Sequence, residues 1–242
     1  MLSLFHSIVY QPLYNVLIFL YNVVPGKDFG ISIILITILL RTILIPLYKK
    51  QIESQKKLQE LQPKIKALQE KTKDNKEQQT KQLMELYKEN KTNPFSGCLP
   101  LIVQLVFLIA IYRVLINISS NGLTVDGSQL YSFIARPDKI NQLFIFLIDL
   151  TKPSIPIAAL AAIAQYFQTK MLMSQQPAPI TAVSDSGKPD IAQMMNKQML
   201  YLGPFLTLFI GIRFPAGLSL YWLAGTLFML AQQILMQKKS SR

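Results

Sequence analysis

Apolar positions in this chain gather in long, nearly uninterrupted runs. Runs of about 17–25 mostly apolar residues have the length that a helix needs to cross a hydrocarbon core about 30 Å thick. The pattern therefore predicts an all-α membrane protein with five transmembrane helices. In chain order they lie at 29–48, 93–116, 154–173, 198–213 and 214–237, with the apolar cores of the second and fifth at 96–116 and 216–236.

The fourth predicted helix is short. Residues 198–213 reach only about 24 Å at about 1.5 Å per helical residue, so this helix should tilt little or lie where the bilayer is thin. The sequence Phe214-Pro215-Ala216-Gly217 then reverses the chain. So tight a connection makes the fourth and fifth helices antiparallel neighbours.

The N-terminal segment, residues 1–28, is amphipathic. Its apolar residues recur at steps of three and four: Leu2, Phe5, Val9, Leu13, Val16 and Leu20. Polar residues and a proline interrupt it: Gln11, Pro12, Asn15 and Asn22. This pattern favours a helix lying in the extracytoplasmic membrane interface. A sixth span is the alternative, and the charge bias described below is compatible with both.

Residues 49–92 are polar, with apolar residues at helical spacing. Before the polar stretch at 73–76 these are Leu58, Leu61, Ile65 and Leu68, and after it Leu83, Leu86 and Tyr87. The spacing predicts two amphipathic helices in an antiparallel hairpin. Pro63 should kink the first helix or set its local start. A solvated surface explains the many lysines, and attraction to anionic headgroups or ribosomal RNA is the functional alternative.

Charge supports the membrane class and predicts an orientation. Only 16% of the residues are charged, against about 25% in soluble domains, and the net charge is +12. Residues 49–91 carry twelve lysines and seven acidic residues, whereas 117–153 carry three charges of each sign. Because positive loops stay inside, the hairpin, residues 174–197 and the tail 238–242 should be cytoplasmic. The loop 117–153 and the N-terminus should lie outside.

Several kinds of chemistry are unexpected here. Cys98 and His6 are the single cysteine and the single histidine, so we expect no internal disulfide, zinc site or haem site. Cys98 reads as a small residue at a helix start. No glycine-rich phosphate loop occurs, and we expect no cofactor. No basic residue precedes Lys27, so we expect no cleaved leader.

Arg41 is the residue that suggests a function. It lies about 4 Å from the middle of the first predicted helix, at about 1.5 Å per residue, where an arginine costs roughly 2.5–3.5 kcal/mol. Lys49 lies about 12 Å further along the backbone, and the Arg41 side chain points the other way, which argues against snorkelling to the cytoplasm. None of the five predicted helices contains Asp or Glu. We therefore predict a water-filled cavity among the helices.

Polar residues of the predicted helices are candidates for the wall of this cavity. Each by itself is more often a helix–helix hydrogen bond or an interfacial anchor, and only their convergence on Arg41 singles them out. They are Thr37, Gln104, Gln165, Gln168, Thr169, Tyr221 and Trp222. A positive cavity reached from the cytoplasm attracts acidic or polar groups. Whether these belong to a peptide or to a small anion is left open by the residues.

Short motifs resemble a known family. In order they are Gln11-Pro12-Leu13, Gly30 to Ile34 with Arg41, Pro46-Leu47, Leu61 to Ile65, Met84 to Tyr87, Asn93-Pro94, Gly97 to Pro100, Gln104, Arg213 to Leu218, Leu220 to Trp222 and Gln232-Gln233. Each is weak alone, but their order and spacing are similar to those of the YidC/Oxa/Alb membrane protein insertases, of the bacterial YidC type. The resemblance covers nearly the whole chain.

The resemblance implies a multi-pass protein of the bacterial cell membrane that is an insertase and not an enzyme. Such insertases hold a hydrophilic groove, open to the cytoplasm and to lipid, lined in part by the arginine that matches Arg41. The groove takes the polar, often acidic, translocating region of a nascent client, and the client's transmembrane segment passes into the bilayer. Nascent membrane proteins and the lipid bilayer are the implied partners.

The resemblance leaves other partners open: the ribosome, the signal recognition pathway and the Sec translocon. It implies no recognition of a specific nucleic-acid sequence. We expect no counterpart of the large periplasmic domain of Gram-negative relatives, and only Lys238, Lys239 and Arg242 to correspond to their basic C-terminal extension.

Two other functions fit parts of the pattern. An anion or solute transporter would use Arg41 as its substrate site, but we see no inverted repeat and no intramembrane carboxylate for proton coupling. A non-catalytic assembly chaperone of the Sec machinery would tolerate Arg41→Leu.

Overall fold

The computed structural model describes residues 2–72, 75–93, 99–174 and 191–240, and it is mainly helical. Cys98, most of the predicted loop 174–197 and Arg242 lie outside the described residues. The helices are α1 (Leu2–Phe5), a π-helical stretch (His6–Tyr10), α2 (Gln11–Val23), α3 (Phe29–Ile43), α4 (Ile45–Glu60), α5 (Gln62–Lys71), α6 (Lys76–Glu89), α7 (Leu99–Ser120), α8 (Ile155–Ser174), α9 (Ile191–Gly211) and α10 (Ala216–Ser240). Strands β1 (Leu143–Phe144) and β2 (Ile148–Asp149) form an antiparallel pair between α7 and α8.

Within the described ranges, two helices are long and apolar enough to cross a membrane: Ile102–Ser120 and Ala216–Met236. A third is added if the bent pair Phe29–Ile43 and Ile45–Ser54 forms one span, and Leu200–Gly211 is a shorter apolar helix. Helix α8 has almost the bounds predicted for the third span, but its polar C-terminal half lowers its hydropathy. The class of helical membrane protein is confirmed, and the number of five spans stays a prediction.

The first predicted span is not one straight helix. Helix α3 ends at Ile43, and α4 continues from Ile45 at an angle of 57°. Pro46 explains the break, because it has no N–H to donate to the carbonyl of Thr42 and its ring disfavours a helical conformation in the preceding residue. The bend lies directly after Arg41. Residues on α4 are thereby turned away from the axis of α3.

The polar region after α4 contains two further helices. Pro63 lies in the first turn of α5, where its missing N–H costs no hydrogen bond, so it sets a local helix start. The side chain of Asn75 caps α6 by accepting a hydrogen bond from the backbone N–H of Gln78. Helices α5 and α6 contact each other, and Leu61 and Ile65 are buried. The predicted hairpin topology stays a prediction.

The N-terminal helix packs into the core with a different face from the predicted one. The most deeply buried apolar and aromatic residues of α2 are Tyr14, Leu17, Ile18 and Tyr21, each at most 1% exposed. Of the predicted apolar stripe, Leu13 is buried, whereas Val9, Val16 and Leu20 are only half-buried. The buried face is set partly by the rings of Tyr14 and Tyr21 and by contacts with the loop between α7 and α8. The spacing of apolar residues takes neither of these into account. Its interfacial location stays a prediction.

Polar side chains of α2 hold the loop between α7 and α8. The amide of Asn15 donates to the carbonyl of Gln129 and accepts from the N–H of Tyr131, at 2.8 and 2.7 Å. The hydroxyl of Tyr14 accepts from the N–H of Asp126 at 2.9 Å. These contacts pair backbone groups that would be costly to leave unpaired. The residues that interrupt the apolar pattern of the N-terminal segment therefore fix this loop in place.

Asp28 joins the β-hairpin to the start of α3. One carboxylate oxygen accepts from the N–H of Ile31 at 3.0 Å, as an N-cap. The other accepts from the N–H of Ile145 at 2.7 Å. Gly30 allows this approach, because a Cβ there would overlap the ring of Phe144. The hairpin was not predicted from the sequence.

Candidate functional site around Arg41

Arg41 lies in the last turn of α3 and contacts two other helices. Its Nη2 donates to Oε1 of Gln104 on α7, and its Nη1 lies 3.3 Å from the sulfur of Met229 on α10. Within the ranges that the structure describes, no carboxylate lies at ion-pair distance from this guanidinium. The positive charge is held by an amide and a thioether, neither of which neutralises it.

Helix α10 approaches Arg41 closely because it has a glycine at the contact. A Cβ at Gly225 would lie 2.9 Å from Nη2 of Arg41 and 3.2 Å from Nε. Tyr221, one turn earlier on α10, is 2% exposed and lies beside Arg41 and Gln104. We call Arg41, Gln104, Tyr221, Gly225 and Met229 the Arg41 cluster.

A small cavity of about 30 Å³ adjoins the Arg41 cluster on the side of the α3–α4 bend. Its lining residues are Arg41, Leu44, Leu47, Tyr48, Gln51, Val103, Met229 and Gln232. Since one water needs about 10–15 Å³ by this measure, the cavity has room for about two. A polypeptide segment would have to displace side chains or separate helices to reach Arg41 through it.

A second polar contact joins α8, α9 and α10. The carbonyl oxygen of the Gln165 side chain accepts from Nε1 of Trp222 at 2.6 Å and from the hydroxyl of Thr207 at 3.2 Å. Gln168, on the same face of α8, lies 3.5 Å from the sulfur of Met229. Met229 therefore links this contact to the Arg41 cluster.

A third polar contact lies next to the cavity. The amide of Gln233 donates to the hydroxyl of Tyr48 at 3.0 Å. Among the described residues, Nε2 of Gln232 and Oε1 of Gln233 are buried without a hydrogen-bond partner. Buried polar atoms are seldom left unpaired. Gln232 lines the cavity, so its amide can bind water or an incoming polar group beside Arg41, whereas Gln233, 1% exposed, is not one of the lining residues.

The structure brings most of the predicted site residues into two groups. One group consists of Arg41, Gln104 and Tyr221, and the other of Gln165 and Trp222. Gln168 lies between these two groups. Thr37 is fully buried, and its hydroxyl donates to the carbonyl of Ile33 at 2.6 Å; it is not one of the residues that line the cavity beside Arg41. Thr169 is half-buried on α8.

Sequence reasoning missed part of the site. Tyr48, Gly225, Met229 and the Gln232-Gln233 pair all contribute to it. The sequence of α10 contained a pattern that could have grouped these residues, because positions 221, 225, 229 and 232–233 recur at the spacing of one helix face. That spacing shows which residues lie together on α10, but it does not show that they face Arg41.

The Arg41 cluster is flanked by apolar side chains that no other part of the described chain covers. On α3 they include Ile38 and Leu39, 41% and 45% exposed, and on α7 Ile102 and Leu105, 54% and 52% exposed. Large apolar surface beside a polar centre is typical of a membrane protein whose helices face lipid. The fold and the site thus define a helical membrane protein with a positively charged polar centre.

Comparison with known proteins identifies the family. A family model described as "60Kd inner membrane protein" matches residues 19–242. The chain therefore belongs to this family, the YidC/Oxa1 family, and the resemblance seen in the sequence is confirmed. The family comprises membrane insertases and chaperones rather than catalytic enzymes.

Relatives from three bacteria illustrate the match. A protein of Fusobacterium nucleatum subsp. nucleatum named membrane protein insertase YidC is 35% identical over 237 residues, which cover 97% of this chain and 100% of the relative. Another of that name from Streptomyces avermitilis is 32% identical, covering 86% of this chain and 51% of the relative. Membrane protein insertase MisCA of Bacillus subtilis is 32% identical, covering 88% of this chain and 71% of the relative. This chain thus matches about half of the Streptomyces protein.

Proposed function

We propose that this chain is a membrane protein insertase that receives the polar, translocating region of a nascent client at the Arg41 cluster. The names of its relatives support insertion as the activity. The observation that carries the proposal is the charge of Arg41, which has no carboxylate at ion-pair distance within the described residues. An arginine inside a membrane is costly, and an acidic client segment would offset that cost by binding it.

The residues around Arg41 supply the rest of the receptor. Gln104 already accepts from the guanidinium, and the unpaired Nε2 of Gln232, which lines the cavity, offers a donor to a passing backbone. The cavity lies on the side of α4, which the charge bias places towards the cytoplasm. A client segment would enter there by displacing the Met229 side chain, because the cavity is too small to hold it otherwise.

The apolar segment of the client would take a different route. The exposed side chains of α3 and α7 beside the cluster face lipid, so a client helix can pack on them while it passes into the bilayer. Its burial in hydrocarbon supplies the main driving force, at about 0.8 kcal/mol per CH₂ group. The membrane potential adds or subtracts about 2.3 kcal/mol per charge per 100 mV.

In the proposed orientation the N-terminus is outside, and residues 49–92, which include α5, α6 and α4 after its first turn, are cytoplasmic. The lysines of these helices then face anionic headgroups, a ribosome or a targeting factor. Contacts with the ribosome, the signal recognition pathway and the Sec translocon belong to this proposal, as do the five spans and the hairpin.

A series of clients that differ only in the charge of the translocated tail tests the proposal. We expect insertion into proteoliposomes holding the purified chain to be fastest for an acidic tail, slower for a neutral one and slowest for a basic one, because only the acidic tail gains from Arg41. The matched series with the Arg41→Gln variant should lose this order. An order that is unchanged in Arg41→Gln would contradict the role of Arg41. Uptake of a small anion by the same vesicles, lost in Arg41→Gln, would instead indicate a transporter.

A further inference from the structure

A larger cavity lies at the other end of α7, between this helix and the N-terminal helix. Its volume is about 430 Å³, and its lining residues are His6, Tyr10, Tyr112, Arg113, Ile116, Asn117, Ser120 and Gln129. Arg113 is separated from Gln104 by about 14 Å along the helix axis, at about 1.5 Å per residue. This Arg113 cavity is therefore distinct from the site around Arg41.

Arg113 gives the cavity a positive centre. Its guanidinium lies 5.3 Å above the centre of the Phe5 ring, a cation–π contact that positions the group without neutralising it. Within the described parts of the chain, no carboxylate lies at ion-pair distance from it. Asn117 and Ser120 follow on the same face of α7, one and two turns further on. The hydroxyl of Ser120 donates to the backbone carbonyl of Asn117 at 3.2 Å, so Arg113 and the Asn117 amide are the groups that can donate hydrogen bonds to an oxyanion.

The cavity also contains an acceptor that lacks a donor. Oε1 of Gln129 is buried and has no hydrogen-bond partner among the described residues. The backbone of Gln129 is fixed by Asn15, which donates to its carbonyl. A ligand that carries a hydroxyl close to its negative charge would satisfy this atom as well as Arg113.

The surface next to the cavity includes exposed apolar side chains. Ile116 lines the cavity and is 41% exposed. Near the lining residues Arg113 and His6 along the chain, Ile109 of α7 is 40% exposed, and Leu4 and Ile8 of the N-terminal segment are 61% and 66% exposed. A fully hydrated anion would gain nothing from these side chains. An amphiphile would place its charged head at Arg113 and its chains along the isoleucines.

We propose that the Arg113 cavity binds the headgroup of an anionic phospholipid, with the phosphodiester on Arg113 and a headgroup hydroxyl on Gln129. The bound lipid fills the space between the N-terminal helix and α7, and it thereby joins two elements that the loop at 121–131 already connects. This inference does not depend on the insertase activity or on Arg41.

Photoactivatable phosphatidylglycerol tests the proposal. The full chain is reconstituted in phosphatidylcholine vesicles that contain a trace of this probe, and crosslinks are mapped by mass spectrometry. We expect crosslinks in residues 2–23 and 99–120, and a decrease of about fivefold in the Arg113→Gln variant. Photoactivatable phosphatidylcholine should give a low yield that the substitution leaves unchanged.

Arg213 provides a matched control. Like Arg113, Arg213 is exposed, and its guanidinium lies 5.8 Å from the centre of an aromatic ring, that of Phe209. Arg213 is not one of the residues that line the Arg113 cavity. The Arg213→Gln variant should keep the phosphatidylglycerol crosslinks. Equal losses in the two variants, or no loss in Arg113→Gln, would overturn the proposal. Removal of the crosslinks by millimolar inorganic phosphate, at constant ionic strength, would show a site for the free anion and overturn the assignment to lipid.

Discussion

Replacement of Arg41 by leucine should lower the insertion of a client with an acidic tail by about tenfold to a hundredfold. The estimate follows from the loss of a hydrogen-bonded charge, worth roughly 1.5–3 kcal/mol. Arg41→Lys should retain part of the activity, because it keeps the charge but loses the fork that reaches both Gln104 and Met229. The measurement is the initial rate of client insertion into proteoliposomes with equal amounts of each variant.

The same variants separate function from stability. Because an arginine costs about 2.5–3.5 kcal/mol near the middle of a membrane helix, Arg41→Leu should unfold in detergent at the same temperature as the parent protein or a higher one. A variant that inserts poorly and is also clearly less stable would show that Arg41 acts through packing. A variant that inserts at the parental rate would favour the assembly chaperone.

Replacement of Gly211 by alanine should destabilise the packing of α8, α9 and α10. A Cβ at this position would lie 2.6 Å from Cβ of Ala158 and 2.8 Å from Oγ of Ser219, and also 3.2 Å from the backbone Cα of Ala158. The backbone of Ala158 cannot move aside as a side chain can, so the helices must separate. We expect a loss of about 1–3 kcal/mol, measured as unfolding in a denaturing detergent.

Gly203, on the same helix, is the matched control. A Cβ there would meet only Nε2 of Gln165, at 3.3 Å, and this side chain can shift. Gly203→Ala should therefore destabilise less than Gly211→Ala, because the gain of about 1 kcal/mol in helix propensity offsets the strain of placing a Cβ before Pro204, whose ring disfavours a helical residue in front of it. Equal effects of the two substitutions would contradict the close helix packing at Gly211.

Apolar run length predicted several helices closely. Helix α8 was expected at 154–173 and occupies Ile155–Ser174, and α10 begins at Ala216, where the apolar core of the fifth span was expected to begin. Run length works here because the same residues that suit lipid also favour a continuous helix. The length of an apolar run does not reveal a local break in a helix, as at Leu44. It also does not reveal where a helix extends into polar sequence. Helix α9 begins at Ile191, before its predicted start at 198.

The candidate site was predictable only in part. Arg41 stands out because a charge within an apolar run needs a partner, and Gln104 was named for the same reason. The pattern of one helix does not specify which faces of different helices meet, so Gly225 and Met229 were missed. Thr37 was also named because it is polar within an apolar run. A hydroxyl in a helix can donate to its own backbone, however, and then needs no partner in a cavity.

The N-terminal region was the least predictable. Its buried face follows the hydrogen bonds of Tyr14, Asn15 and Tyr21 with the loop between α7 and α8, and these partners lie more than a hundred residues away. The β-hairpin likewise depends on Asp28, which is distant in sequence. Contacts of this kind leave no periodic signal in either segment.

Photo-crosslinking from position 51 tests the central claim most directly. Gln51 lines the cavity beside Arg41, so a photoreactive amino acid there leaves the guanidinium intact. During insertion of a client with an acidic tail, we expect crosslinks to that tail, and fewer of them in the Arg41→Gln background. Crosslinks confined to the apolar segment of the client, or normal insertion without any crosslink to the tail, would contradict the account.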